Sequence, residues 1–239
     1  MANTLGLDDD MDGVELVIDI EKAFGLKIEN REAEVLLCVG DLYDLLLQKI
    51  PANEADRKCA GAMTFYRLRR ALEDFGAAKK LPPSADLAFL MRRRPASNFK
   101  RLERESGLRL PALELSAAGG IGCLVSLAAS AVIIGLGIAG IIDMPAWSFI
   151  GAIVTGVAFL YFDPGRIPEK CRTLAGLVEN TAPLNFGRLV KQGASHRPQD
   201  IWSAMVKVLC VRFWLPETEV TCETFFLQSQ LDRACKKAA

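Results

Sequence analysis

Between Ala117 and Ile142 the chain carries no charged residue, and after the break Asp143-Met144-Pro145 a second uncharged run extends from Ala146 to Phe162. As helices these segments reach roughly 39 Å and, counted from Met144, roughly 28 Å. A bilayer core of about 30 Å asks for about 20 apolar residues. Pro145 suits the first turn of the second helix, where its missing N–H costs nothing. The pattern predicts a transmembrane helical hairpin over 117–162 with a tight turn. No ionisable residue lies inside either span, which argues against an ion or proton pathway. Small residues recur every four positions: Ser126 and Ser130, then Ala131, Gly135 and Ala139, then Ala152 and Gly156. This spacing serves close packing of the two helices or of two copies of the chain in a homodimer.

The flanking segments alternate apolar and polar positions with helical period. Over 12–24 (DGVELVIDIEKAF), Val14, Val17, Ile18, Ala23 and Phe24 make an apolar stripe. Asp12 with Glu15 reads as an acidic capping box, and Gly25 as a C′ residue. Asn30 is expected to cap a short second helix containing Ala33, Val35 and Leu36. A third helix is expected from Leu42 to Ile50, ended by Pro51. After the first fifty residues, the pattern predicts helices over 60–75, from Ser84 to about Met91, and over 95–105, the last stopped by Gly107. Beyond the apolar run it predicts a helical stretch over 168–191, broken at Pro183. A polar loop follows over 192–198, then a helix capped by Asp200 with Ile201, Trp202, Met205, Val206, Val208 and Leu209 on its apolar face. The fold class is therefore all-α.

Charge divides this row of helices into modules. The 239-residue chain has zero formal net charge. Residues 1–56 nevertheless hold 14 acidic and 4 basic residues, a net of −10, and residues 57–110 hold 14 basic and 5 acidic, a net of +9. An acidic segment 1–56, a basic neck 57–110, the hairpin 117–162, a linker 163–198 and a terminal segment 199–239 follow. Basic residues flanking the apolar run on either side, against a lone Asp143 at its turn, place both termini on the cytoplasmic side of the membrane. The acidic start is no signal peptide, so the hairpin itself directs insertion. Arg92, Arg93, Arg94, Lys100, Arg101 and Arg104 precede the point where the chain enters the membrane, where anionic lipid attracts each cation by about 1 kcal/mol. Membrane lipid is the expected partner of this neck. An acidic protein surface, including the chain's own head, is the next reading. Nucleic acid is not expected, because no recognition module accompanies the charge.

One stretch resembles a known family. Asp9-Asp10-Met11-Asp12-Gly13-Val14-Glu15-Leu16 is similar to the attachment motif of acyl carrier proteins, and Phe24-Gly25-Leu26-Lys27-Ile28 and Val39-Gly40-Asp41 fit the same family. Residues 4–50 thus resemble its second to fourth helices. Residues 199–231, with Val220-Thr221 and Phe225-Phe226, resemble its first helix and following loop. The resemblance implies a permuted carrier-like bundle assembled from both ends of the chain. Asp10 stands where the family carries the serine that accepts phosphopantetheine, so that cofactor is not expected. The resemblance also implies that Glu15, Asp19 and Glu21 meet basic protein surfaces, among them acyl-transfer enzymes. Such charge pairing governs encounter and specificity more than affinity.

No catalytic constellation, nucleotide-binding loop or metal-ligand spacing appears, and His196 reads as a surface histidine. The seven cysteines form no CxxC pair. The expected function is a non-enzymatic, membrane-anchored, carrier-like protein that recruits partners of acyl or lipid metabolism. The alternatives are a membrane scaffold or regulator without acyl chemistry, and an accessory subunit of a membrane acyltransferase.

Overall fold

In the computed structural model the described residues are 4–7, 12–50, 58–75, 80–91, 95–138, 154, 163, 165–213 and 215–229. They form a mostly helical protein. In chain order the elements are β1 (Thr4–Leu7), α1 (Asp12–Phe24), α2 (Asn30–Ala33), α3 (Val39–Lys49), α4 (Ala60–Glu73), α5 (Pro95–Ser106) and α6 (Ala117–Ile138). The chain continues with α7 (Leu174–Leu184), α8 (Phe186–Lys191), α9 (Pro198–Phe213) and β2 (Phe225–Leu227), with short 3₁₀ turns at Ala88–Met91, Glu169–Cys171 and Glu217–Glu219.

Two cores organise the helical body. The first draws on both ends of the chain. Leu5, Leu16, Ile20, Phe24, Leu42 and Leu46 pack with Ile201, Met205, Val208, Leu209, Val220 and Phe226. Head and tail therefore share one interior. At about 1.5–3 kcal/mol per large side chain, a dozen such residues outweigh what three short head helices could bury alone. The seam is also hydrogen bonded. β1 pairs with β2 in parallel, Thr4 opposite Phe225 and Leu7 opposite Leu227, so an all-helical pattern closes with a two-stranded sheet. Val39 N–H donates to Thr224 O and Gly40 N–H to Cys222 O. Tyr43 donates its hydroxyl to Pro198 O and meets Trp202 edge-on.

The second core draws on the segments that flank the apolar run. Leu68, Leu72, Leu87, Leu90, Leu102, Leu108 and Leu110 pack with Ile167, Leu174, Leu177 and Leu189. The Phe24 and Phe186 rings, 5.4 Å apart, both lie in the first core, and α8 joins the two cores because its Leu189 is buried in the second.

Several expected boundaries shift, each for a local reason. Gly25 ends α1 with φ of +63°, a conformation that favours glycine. α2 is capped by Glu29, not Asn30, through a reciprocal capping box with Glu32, and Val35 lies beyond its end. α3 begins at Val39 rather than Leu42. The Asp41 carboxylate accepts from the Leu37 and Cys38 N–H groups at 2.8 and 3.0 Å and so caps an earlier first turn. The segment after Ser84 forms only a 3₁₀ turn, because Asp86 accepts from Ala88 N–H while its backbone bridges to Thr173. Pro183 is accommodated inside α7, and the break falls at Asn185.

α6 runs 22 residues without a charge. Its side chains are described over 120–122 and 124–132. Among the described residues no helix is long and apolar enough to cross a membrane. The expected turn at Asp143-Met144-Pro145 and, but for Val154, the expected second span lie outside the described residues.

Candidate functional site: a two-ended module and the base of the apolar helix

The acidic residues of α1 are less available than their sequence suggests. Glu15 pairs with Arg212 of α9. Asp19 lies between Arg109, at 3.3 Å, and Arg212, at 3.9 Å. Glu21 turns back on its own chain: one carboxylate oxygen accepts from Ile28 N–H at 2.7 Å and the other faces Lys27 at 3.4 Å. The side chain of Glu21 is 15% exposed. Arg109 and Arg212 thus join neck, head and tail in one charged network. Neither stands out in the sequence, since pairing across the length of the chain leaves no local signal. Val14 and Ile18, expected in the apolar stripe of α1, are exposed, and the buried face is Leu16, Ile20, Ala23 and Phe24.

Of the expected membrane-surface residues, Lys100, Arg101 and Arg104 occupy the outer face of α5, opposite buried Phe99 and Leu102. Arg101 binds Glu105 at 2.6 Å and lies 4.5 Å from the centre of the Phe75 ring. Arg92, Arg93 and Arg94 lie outside the described residues, as does Asp10 at the attachment position.

The base of α6 is clamped to the far end of the apolar run. Glu114 and Arg166 exchange backbone hydrogen bonds of 2.9 and 2.7 Å. The Asp163 carboxylate accepts from Ser116 N–H at 2.9 Å and also from the Ser116 hydroxyl. These two bonds hold Asp163 below the usual carboxylate pKa. An anion at this point also complements the positive end of the α6 dipole. Gly165, with φ of +72°, lies so close to Leu113 that a Cβ would meet its side chain at 3.0 Å. The run therefore leaves and rejoins the body at adjacent points.

An open cleft of about 430 Å³ lies between the start of α4, α7 and α9, lined by Cys59, Glu179, Ser195, Arg197, Asp200 and Lys207 among others. Several of its polar groups are paired. Lys207 binds Glu179 and Glu217, and Asp200 accepts from the Ser195 hydroxyl and Arg197 N–H. His196 is buried, not at the surface as expected, with Nδ1 3.2 Å from Ala194 O. The polar loop around it docks on the neck, where Ser195 N–H donates to Lys58 O at 2.9 Å. The pKa of the Cys171 thiol is pushed up to about 11 by burial, which leaves it protonated at neutral pH. Among the described residues no group of three or more His, Cys, Asp or Glu side chains could hold a metal ion.

The chain matches no family model, no curated protein and no solved structure.

Proposed function

We propose that this chain is a non-enzymatic, membrane-anchored protein whose carrier-like module recruits partner proteins of acyl or lipid metabolism at the cytoplasmic face. The observation that carries the reading is the joint core of the two chain ends. Read as α9, α1, α2 and α3, its helices follow the order of an acyl carrier bundle whose first helix has been moved to the end of the chain. Asp10 in place of the attachment serine makes the module a docking surface without an arm, because a carboxylate cannot take the serine's place in the phosphodiester link.

The anchor is the hairpin 117–162. Three features support it. α6 is uncharged over all 22 residues. Ile121, Leu124, Val125, Leu127 and Val132 are each more than half exposed, a surface that water does not favour on a single helix. Gly122, Ser126 and Ser130, at four-residue spacing, are less exposed than the residues around them, as close packing by a returning helix requires. Both termini then lie on one side, which the shared core of head and tail demands.

The hairpin is tested by alkaline carbonate extraction together with accessibility reporters fused to each terminus. Retention in the pellet with both reporters cytoplasmic is expected, and release into the supernatant overturns the anchor. The module is tested by affinity purification of the full chain from membranes. Enrichment of acyl-transfer or phosphopantetheine-dependent enzymes is expected. Incubation with a phosphopantetheinyl transferase should leave the intact mass unchanged, and a gain of one arm would refute the role given to Asp10.

A further inference from the structure

We propose that the outer face of the α4–α5 pair is a second membrane contact, lying on the anionic headgroups of the bilayer that holds the hairpin. The proposal rests on the membrane reading above and adds to it the surface, its aromatic member and its binding partner.

The face is built from two helices. On α4 the exposed positions Ala62, Tyr66 and Arg70 recur every four residues, opposite the buried Thr64, Leu68 and Leu72. On α5 the exposed positions Ser97, Lys100, Arg101, Arg104 and Glu105 stand opposite the buried Phe99 and Leu102; Glu105 pairs with Arg101, which leaves Lys100 and Arg104 as the main cations of the α5 face. The helices pack on each other, and Arg101 reaches across to the Phe75 ring, 4.5 Å away, at the end of α4. Tyr66 is 58% exposed and lies beneath the Arg69 guanidinium, 5.2 Å from its ring centre. An exposed tyrosine among Lys and Arg matches the preferences of a membrane interface, where the ring sits at headgroup level and the cations meet lipid phosphate.

Position favours lipid over another acidic partner. Both ends of the apolar run lead into the second core, through Leu108, Leu110 and Leu113 on one side and Ile167 and Cys171 on the other. α4 and α5 belong to that same core, whereas the acidic α1 belongs to the first. The fold thus sorts the charge, keeping the basic helices in the body that the hairpin holds against the membrane. The chain's own acidic head reaches the neck region through the Arg109–Asp19 pair, which leaves the α4–α5 face open.

The chain holds three tyrosines, Tyr43, Tyr66 and Tyr161, which makes the test direct. Full-length protein carrying 3-fluorotyrosine is reconstituted into vesicles of zwitterionic lipid alone or with anionic phospholipid, and Tyr66→Phe assigns the Tyr66 fluorine signal. A soluble gadolinium chelate then reports its exposure. Severalfold protection of Tyr66 is expected in anionic vesicles but not in zwitterionic ones, and high salt should remove it. Replacing Arg70, Lys100 and Arg104 by Gln should weaken the contact by about fivefold per cation and restore exposure, with Tyr43 unchanged as the internal sign of folding. A Tyr66 signal equally open in both vesicles while the protein stays bilayer-bound overturns the proposal and leaves the hairpin standing. Protection produced by RNA or by an acidic protein, but not by lipid, also overturns it. Failure of the protein to remain in vesicles of either kind overturns the hairpin reading instead.

Discussion

The two cores are nested around the apolar run, and they differ in what brings their halves together. The second core joins 68–110 to 167–194, the segments that flank the run, whose ends are already pinned by the Glu114–Arg166 bridge and the Ser116–Asp163 clamp. The first core joins 4–50 to Phe186 and to 201–227, segments that lie farther apart along the chain. Loop-closure entropy grows only with the logarithm of loop length, so the outer core forms at modest additional cost once the inner one is in place. The side chains differ as well. The inner core is dominated by leucine. The outer one mixes Ile, Phe, Met, Val and Leu across a seam of β pairing, aromatic contact and ion pairs. The inner core holds the segments next to the run, and the outer core holds the two ends of the described chain together.

The most disruptive change to this picture is at Gly187, where α8 passes the end of α1. A Cβ there would stand 1.6 Å from Phe24 O, closer than any side chain tolerates. Gly187→Ala should force the two cores apart and cost about 3 kcal/mol. Chemical denaturation in detergent should then show two transitions in place of one.

Of comparable size, but confined to one core each, are large-to-small changes that tell the cores apart. Met205 and Leu174 are each fully buried, one in each core. Met205→Ala and Leu174→Ala should each cost roughly 2–5 kcal/mol. Hydrogen exchange should place the loosening from Met205→Ala in α1, α3 and α9, and that from Leu174→Ala in α4 and α7. Identical exchange patterns would mean one core rather than two.

A smaller effect tests the seam between head and tail. A Cβ at Gly40 would lie 3.4 Å from Cys222 Cβ, close to the separation of about 3.5–4.5 Å found in disulfides, and 2.9 Å from Cys222 O. Gly40→Cys should cost about 1 kcal/mol when reduced and form a head-to-tail cross-link on mild oxidation, visible as a shift in gel mobility. A folded Gly40→Cys variant that never cross-links would contradict the joint core.

The weakest effect is at the base of α6. The pKa of Asp163 is lowered in the fold, so its clamp contributes fully above the ordinary carboxylate pKa of 3.8. That contribution fades as pH falls from there through the lowered value. Thermal melts of the wild type should lose stability across that acid window, and Asp163→Asn should flatten this part of the profile.

Much of the helical layout was legible along the chain because it is local. The stop at Gly25, the start of α4 at Ala60 and the span of α5 follow from periodicity and capping within a turn or two. The buried face of α1 does not, because packing against the tail selects Leu16 and Ile20 with Ala23 and Phe24, and turns Val14 and Ile18 outward. The complementarity of the two ends was legible only as a resemblance in which each end lacked what the other supplied. Where local reading failed, distant groups decided the outcome. Asp86 gave up an α-helix to a bridge with Thr173, and His196 was drawn inside with a loop that docks on Lys58. Glu15, Asp19 and Glu21, expected to face outward, spend much of their charge on Arg212, Arg109 and the Ile28 N–H.

By itself, then, the sequence determined where helices form, where charge ceases between Ala117 and Ile142, and how acidic and basic residues divide between head and neck. These are properties of neighbouring residues, set by backbone propensity, hydrophobic period and composition. Tertiary structure alone decided that the ends share a core, that the inner segments share another, and which charges pair across the chain. Those outcomes depend on contacts between residues far apart in the chain. Their energies come from burial and pairing that exist only once the chain has closed on itself.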